Sequence, residues 1–280
     1  MASGLMILLI NKATRLSDNF LKLPKEYIAE IRFGIETDTM DMEGRITASS
    51  HIEKLEYEKL IRILCSFKGT IEQVPPMFSA LKHRGQPLYR LARKGREVPR
   101  KARTIDILDL EILELRQEIL TIRIGCSSGT YIRALAHDIG QAYGTGAVLS
   151  ALRRTRIGDM DVEKAASTED IAGLSKTGML AGAGGWIIGL EELFSKAPVL
   201  YIKDRYAGQV KNGSPISAVM LEKSGGLEKE PEGNGSPFAG MVSVKSAGGE
   251  LLAIHRIEEW CDKDQKPDLD KLFTKSVVIF

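Results

Sequence analysis

The residues best equipped for chemistry stand together in Cys126-Ser127-Ser128-Gly129-Thr130-Tyr131-Ile132-Arg133. Before them, Glu118 to Gly125 alternates, with Leu120, Ile122 and Ile124 on one face, which predicts a strand. After them, Ile132, Leu135, Ala136 and Ile139 recur at spacings of three and four, which predicts a helix over Tyr131–Tyr143. A small-residue turn between strand and helix offers free backbone N–H groups, and Ser or Thr there can cap the helix. Arg133 falls in the first helical turn, where a cation opposes the helix dipole by about 0.3–1 kcal/mol if exposed. A cation kept in that position predicts a specific anion opposite it. The plain alternative is a capped helix with a surface arginine.

A second concentration of chemistry is purely electrostatic. Residues 82 to 103 carry Lys82, Arg84, Arg90, Arg93, Lys94, Arg96, Arg100, Lys101 and Arg103 against the single acid Glu97. The whole chain carries a net charge of only +2, so this local excess is what sets the segment apart. Tyr89 and Pro87 interleave the charges, and contact with phosphates is the expected role, with Lys82, Arg84, Arg93, Arg96 and Arg100 as candidate contacts.

Other chemistries find little support. With 43% hydrophobic and 27% charged residues over 280 positions, the chain has the make-up of an ordinary globular protein with ample core. Cys65, Cys126 and Cys261 are far apart and odd in number, which argues for a reducing compartment and against a disulfide framework. The four histidines do not cluster and no C-x-x-C occurs, so no metal site is expected. Asp38-x-x-Asp41-x-x-Gly44 lacks the spacing and the final Glu of a calcium loop. The Gly-rich stretch Ser175–Gly185 lacks the phosphate-loop lysine, so no nucleotide cofactor is expected. Leu5–Ile10 is apolar but far too short to span a membrane, and is read as a buried strand.

The elements that must position these residues follow in order. Tyr27 to Gly34 alternates as a strand, with Tyr27, Ala29, Ile31 and Phe33 together. Thr37–Gly44 is a loop. Ser50-x-x-Glu53 has the form of a capping box opening an amphipathic helix with Ile52, Leu55, Leu60, Ile63, Leu64 and Phe67. Thr104–Cys126 reads as two strands broken around Leu115–Glu118, and Val148–Arg154 as a helix. After Pro198 the texture changes to short strands and turns. These include an Asn212-Gly213 turn, a polar loop over Leu221–Pro237, and strands at Gly240–Val244 and Leu251–Ile257.

Several segments also resemble one family. Cys-Ser-Ser-Gly-Thr-Tyr-Ile-Arg133 resembles the S-x-G-T-Y-I-R motif of bacterial tRNA pseudouridine-55 synthases, the TruB family. Lys25-Glu26-Tyr27 resembles its K-x-Y segment, and Gly34 to Gly44 its G-x-x-T-D-T-x-D-x-x-G turn. Gln73 to Lys82 resembles Q-x-P-P-x-Y-S-A-x-K, with Phe78 in place of Tyr, and Leu152-Arg153-Arg154 matches L-R-R. Order and spacing agree from residue 2 to about 160.

The resemblance implies an α+β fold: a mixed, largely antiparallel sheet flanked by helices, over residues 1–196, with a basic RNA-gripping thumb at about 74–103. Residues 197–280 resemble a small β-rich PUA-like RNA-binding module. The implied activity is isomerisation of uridine 55 in the T-loop of tRNA, by a monomeric cytoplasmic protein without cofactor. Arg133 would hold a carboxylate bidentately, Tyr27 would stack on the flipped uracil and take the C5 proton, and Leu152 would wall the pocket. Ala2-Ser3-Gly4-Leu5 resembles the end of the family's G-x-L-D-P-x-A-[ST]-G-x-L motif, whose aspartate is catalytic. No L-D-P occurs in these 280 residues. The expectation is therefore a chain truncated before its catalytic aspartate, through a misplaced start or a gene fragment. The alternative is an inactive paralogue that binds or folds tRNA. A DNA-binding regulator is discounted, because the helix at 131–143 is nearly neutral and apolar.

Overall fold

The structure, a computed structural model, describes residues 2–177, 185–222, 238, 240–259 and 273–279. Its contacts divide into two compact units, Met1–Met6 with Leu23–Ala165, and Ile7–Lys22 with Ala166–Phe280. The mixed α+β composition with largely antiparallel sheets agrees with the sequence.

In chain order the first unit and its neighbours run β1 (Ala2–Gly4), α1 (Ser17–Lys22), β2 (Lys25–Phe33), β3 (Ile35–Thr37), β4 (Ile46–Ser49), α2 (Tyr57–Phe67) and β5 (Gly69–Gln73). There follow β6 (Lys82–His83), β7 (Gln86–Pro87), α3 (Leu88–Ala92), β8 (Arg103–Arg116), β9 (Ile119–Cys126), α4 (Ile132–Tyr143), β10 (Ala147–Ile157) and β11 (Met160–Asp161). Helix α1 is grouped with the second unit.

The main sheet has the order β1-β10-β2-β9-β8-β5, with β11 paired to β10. Only β1 and β10 run parallel; every other pair in it is antiparallel. Alternation decides which face is covered. In β9, Leu120, Ile122, Ile124 and Cys126 are buried while the residues between them are partly exposed. The same face of β2 offers Ala29, Ile31 and Phe33, and α2 and α4 cover it with Leu60, Leu64, Leu135 and Ile139. Helix α4 stops at Gly144, whose φ of 97° is the left-handed conformation that ends helices and favours glycine.

Three sequence expectations are corrected. Val148–Arg154 is not a helix but the middle of strand β10. The ladder with β2 shifts register between Leu149 and Ala151, leaving Ser150 as the extra residue of a bulge. Leu149 stands opposite Ile31 and Leu152 opposite Ala29, so two leucines three apart share one face of a strand. A helical spacing is thereby written into an extended segment. Ser50 and Glu53 do not cap a helix. Ser50 N–H donates to the Gly34 carbonyl at 2.9 Å, continuing the β3–β4 hairpin, and α2 begins only at Tyr57. Tertiary pairing here overrides the local capping signal. Leu5–Ile10 is not a strand: Leu5 is buried with its N–H on the Arg154 carbonyl, whereas Met6, Leu8 and Ile10 are each about 70% exposed. Beside these, the strands expected at Glu118–Gly125 and Thr104–Cys126 and the helix at Tyr131–Tyr143 form within a residue or two of the predicted limits.

The second unit holds a four-stranded sheet, β12 (Val199–Ile202), β13 (Met241–Ser246), β14 (Leu251–Glu259) and β15 (Phe273–Ile279), in that order. Its strands β13 and β14 coincide with the two read from sequence. Of the polar loop expected at Leu221–Pro237, Leu221 is instead buried and bridged to Ile202, and residues 223–237, the glycines of 178–184 and Cys261 lie outside the described residues. Inside this unit, His255 is fully buried. The Ile216 N–H donates to Thr274 Oγ1 at 3.0 Å, and the same hydroxyl shares a hydrogen bond with His255 Nδ1 at 2.8 Å. The other ring nitrogen, Nε2, finds no hydrogen-bond partner among the described residues. Burial drives the imidazole pKa down to about 4.

Candidate active site

Arg133 is the second residue of α4 and does not lie in solvent. Its Nη1 donates to Asp41 Oδ2 at 2.6 Å and to the Thr39 carbonyl at 3.2 Å, while Nη2 donates to the Phe78 carbonyl at 2.8 Å. The anion that the helix start predicted is thus Asp41, from the Thr37–Gly44 loop between β3 and β4. Both side chains are about one quarter exposed, 26% and 22%. The turn before α4 does not cap it through a side chain: the N-cap is Tyr131, and Thr130 Oγ1 instead donates to the Ser127 carbonyl.

The loop carrying Asp41 is itself tightly bonded. Thr37 Oγ1 donates to the Asp41 carbonyl at 2.7 Å, and Thr39 Oγ1 to Asp41 Oδ1 at 2.6 Å. The Glu43 N–H donates to the same Oδ1 at 3.1 Å. Asp38 points elsewhere, accepting from Arg45. Burial would push the Asp41 carboxyl up. The bonds from Thr39, Arg133 and the Glu43 N–H, with the Arg133 charge, outweigh it and hold the pKa below the ordinary carboxylate value. Asp41 is therefore a fixed anion with both oxygens engaged. Sequence reasoning left it out of the site and held it, with Asp38, only as a fallback carboxylate; its signal was the dense T-D-T-x-D loop.

Beside this pair opens a cavity of about 380 Å³, lined among others by Ala2, Asp41, Glu43, Arg133, Leu149 and Leu152. Its size falls in the range of small-ligand sites. The bulged stretch of β10, Leu149, Ser150, Ala151 and Leu152, forms one side of it. Leu152 and Arg133 thus both line the cavity.

Tyr27 is not among the residues lining the cavity. It lies opposite Arg154, two rungs from the Ala29–Leu152 pair and so on the same face, half-buried against the core. Burial raises its phenol pKa, with Cys126 adding to the rise and neighbouring Arg154 opposing it, so the side chain is a neutral phenol at ordinary pH. Lys25, on the same strand, is lowered by burial and by Arg154.

The basic segment builds a small unit of its own. Met77, Leu88 and Leu91 form its core, with Phe78, Leu81, Ala92 and Val98 packed on it. Lys82, Arg84, Arg93 and Arg96 stand exposed around that core. Arg100 differs: its guanidinium donates to the Pro75 carbonyl at 3.0 Å and pairs with Glu97, and its side chain is only 20% exposed. The structure uses Arg100 as a brace across the root of the segment.

Residues 1–132 match the TruB family pseudouridylate synthase N-terminal domain, and residues 133–179 the tRNA pseudouridylate synthase B C-terminal domain. The chain belongs to the TruB family. Over 200 residues it is 45% identical to the tRNA pseudouridine synthase B of Francisella philomiragia and 44% identical to that of Francisella tularensis. The match takes in 71% of this chain and 65% of each relative's length. Among solved structures, an H/ACA RNP bound to a substrate RNA containing 2′-deoxyuridine aligns with a TM-score of 0.63 at 22% identity, covering 97% of this chain and 70% of the other. A Cbf5-Nop10-Gar1 complex gives 0.58 at 24%, covering 94% and 70%. At those identities the likeness establishes the fold. Among the described residues no helix is long and apolar enough to cross a membrane.

Proposed function

We propose that this protein is the RNA-gripping, uracil-seating body of a tRNA pseudouridine synthase that isomerises uridine 55 in the T-loop. It would work as a monomer in the cytoplasm. The observation that carries this reading is the Arg133 fork, holding Asp41 at 2.6 Å beside a cavity walled by Leu149 and Leu152. The target base lies in a stacked loop and must be flipped out before C1′ can move from N1 to C5. The exposed cations of the thumb supply the phosphate grip, and the cavity receives the base. Domain limits of 1–196 and 197–280, with a PUA-like second domain, belong to the same proposal.

The ribose step needs a carboxylate that can act at C1′ or C2′. In the family that group belongs to the L-D-P segment, which these 280 residues do not contain. Asp41 is a poor substitute, because Thr39, Glu43 and Arg133 already occupy both of its oxygens. That observation favours a second reading for the 280-residue chain by itself: it binds and flips without turning over.

The test is a titration of a T-loop stem-loop carrying 2-aminopurine next to the target uridine. Anisotropy reports binding and 2-aminopurine fluorescence reports flipping. The proposal expects both signals, with the fluorescence rise abolished when the target uridine is replaced by cytidine. Equal binding to an unrelated stem-loop, with no fluorescence rise, overturns it.

A further inference from the structure

We propose that Gln73 is the positioning residue that sets Arg133 in the site, an inference that rests on the function proposed above. Gln73 ends β5 and is only 2% exposed. Its Oε1 accepts the Tyr131 N–H at 2.9 Å, and its Nε2 donates to the Tyr131 carbonyl at 3.1 Å. One side-chain amide thus makes both hydrogen bonds that a neighbouring strand would offer Tyr131. Tyr131 is the N-cap of α4 and has no side-chain cap of its own. The two-point clamp fixes the start of the helix in place and in rotation, and Arg133 follows two residues later.

The same chain segment grips Arg133 a second time, at the far end of its side chain. Phe78, five positions beyond Gln73, supplies the carbonyl that receives Arg133 Nη2 at 2.8 Å. Residues 73–78 therefore hold both the backbone that carries Arg133 and the guanidinium itself. Pro75 and Pro76, both buried, limit the freedom of the segment between these two grips. A buried amide satisfied on both sides is costly to disturb, since losing it strands a donor and an acceptor. A shift of about 1 Å in a group facing the reacting base is worth on the order of 10²-fold. Gln73 acts through Arg133 and does not itself line the cavity.

The test uses the 280-residue chain and the 2-aminopurine stem-loop. Gln73→Leu keeps the volume and removes both bonds. The proposal expects a melting temperature lowered by several degrees, because the Tyr131 N–H and carbonyl are stranded, with stem-loop affinity by anisotropy still within about threefold and a fluorescence rise reduced by about tenfold. Gln73→Glu separates positioning from packing. As a carboxylate it keeps the acceptor and loses the donor; as a neutral acid it supplies one of each. Its fluorescence rise should be small at pH 8 and recover toward the wild-type value at pH 5, while the wild type stays level. A full rise in Gln73→Leu, or a Gln73→Glu variant indifferent to pH, overturns the role of Gln73 alone. Parallel loss of melting temperature, affinity and flipping would mark a purely structural residue and also overturns it. A wild-type chain that does not distinguish uridine from cytidine overturns the functional reading, and this inference with it.

Discussion

Arg133 and Asp41 meet at 2.6 Å across 92 positions of sequence, one at the start of a helix and the other in a hairpin loop. The pair explains why a cation is kept where the helix dipole opposes it. It also fixes the fork in a plane that two carbonyls, from Thr39 and Phe78, complete.

Lysine at position 133 would keep the charge but not the fork. A single ammonium cannot reach Asp41 and both carbonyls together. Arg133→Lys is expected to leave thumb-mediated binding within about threefold while abolishing the uridine-dependent flipping signal. In a thermal-stability cycle with Asp41→Asn, the two sites should couple by roughly 0.5–3 kcal/mol, as contacting residues do. Additive effects would show that the contact carries no energy.

The thumb residues divide by environment. Replacing exposed Arg93 and Arg96 by Ala should reduce the salt dependence of tRNA binding by about 0.7–0.9 logarithmic units per lost phosphate contact. Arg100→Ala should leave that slope unchanged and lower the melting temperature instead, because Arg100 braces Pro75 and Glu97. Equal slopes for all three variants would contradict the division.

Gly140 reverses an ordinary rule. Alanine in a helix interior is favoured over glycine by about 1 kcal/mol. Here a Cβ would lie 2.2 Å from the Ala147 nitrogen and 2.5 Å from the Gly146 carbonyl carbon, both backbone atoms. Overpacking of that kind costs about 1–3 kcal/mol and wins. Gly140→Ala should destabilise the chain in urea titration; a stabilised variant would show that α4 and β10 are not so close.

His255 makes the second unit sensitive to acid. Its folded pKa, about 4, lies below the ordinary 6.5, so burial favours the neutral ring. Its contribution is intact above pH 6.5 and is lost as pH falls from 6.5 toward 4, by up to roughly 3 kcal/mol. The protection factors of the β14 amides, exchange rates corrected for the intrinsic pH dependence, should fall over that window and do so less in His255→Leu. Identical pH profiles for the two proteins would remove His255 as the cause.

Much of this architecture was legible in the residues, and the failures have physical causes. Strand β9 and helix α4 announce themselves because Leu120, Ile122 and Ile124 keep a period of two, and Ile132, Leu135, Ala136 and Ile139 a period of 3.6. Strand β10 does not, because the Ser150 bulge gives Leu149 and Leu152 a helical spacing. The Ser50–Glu53 signal is genuine local chemistry overruled by a hairpin that claims the Ser50 N–H. Arg133 showed its need for an anion, but no local pattern names a partner 92 residues away. Arg100 looked like its basic neighbours until the fold gave it Pro75 and Glu97.

The central claim is that these 280 residues bind and seat uridine, while the carboxylate that acts on the ribose belongs to the L-D-P segment. It is tested by tritium release from C5-labelled uridine 55 in a T-loop stem-loop, comparing this chain with one joined to the L-D-P segment of a Francisella relative. The account predicts release at multiple turnover from the joined protein and none from the 280-residue chain, although both bind. Multiple turnover by the 280-residue chain, lost on Asp41→Asn, would contradict it and make Asp41 the catalytic carboxylate.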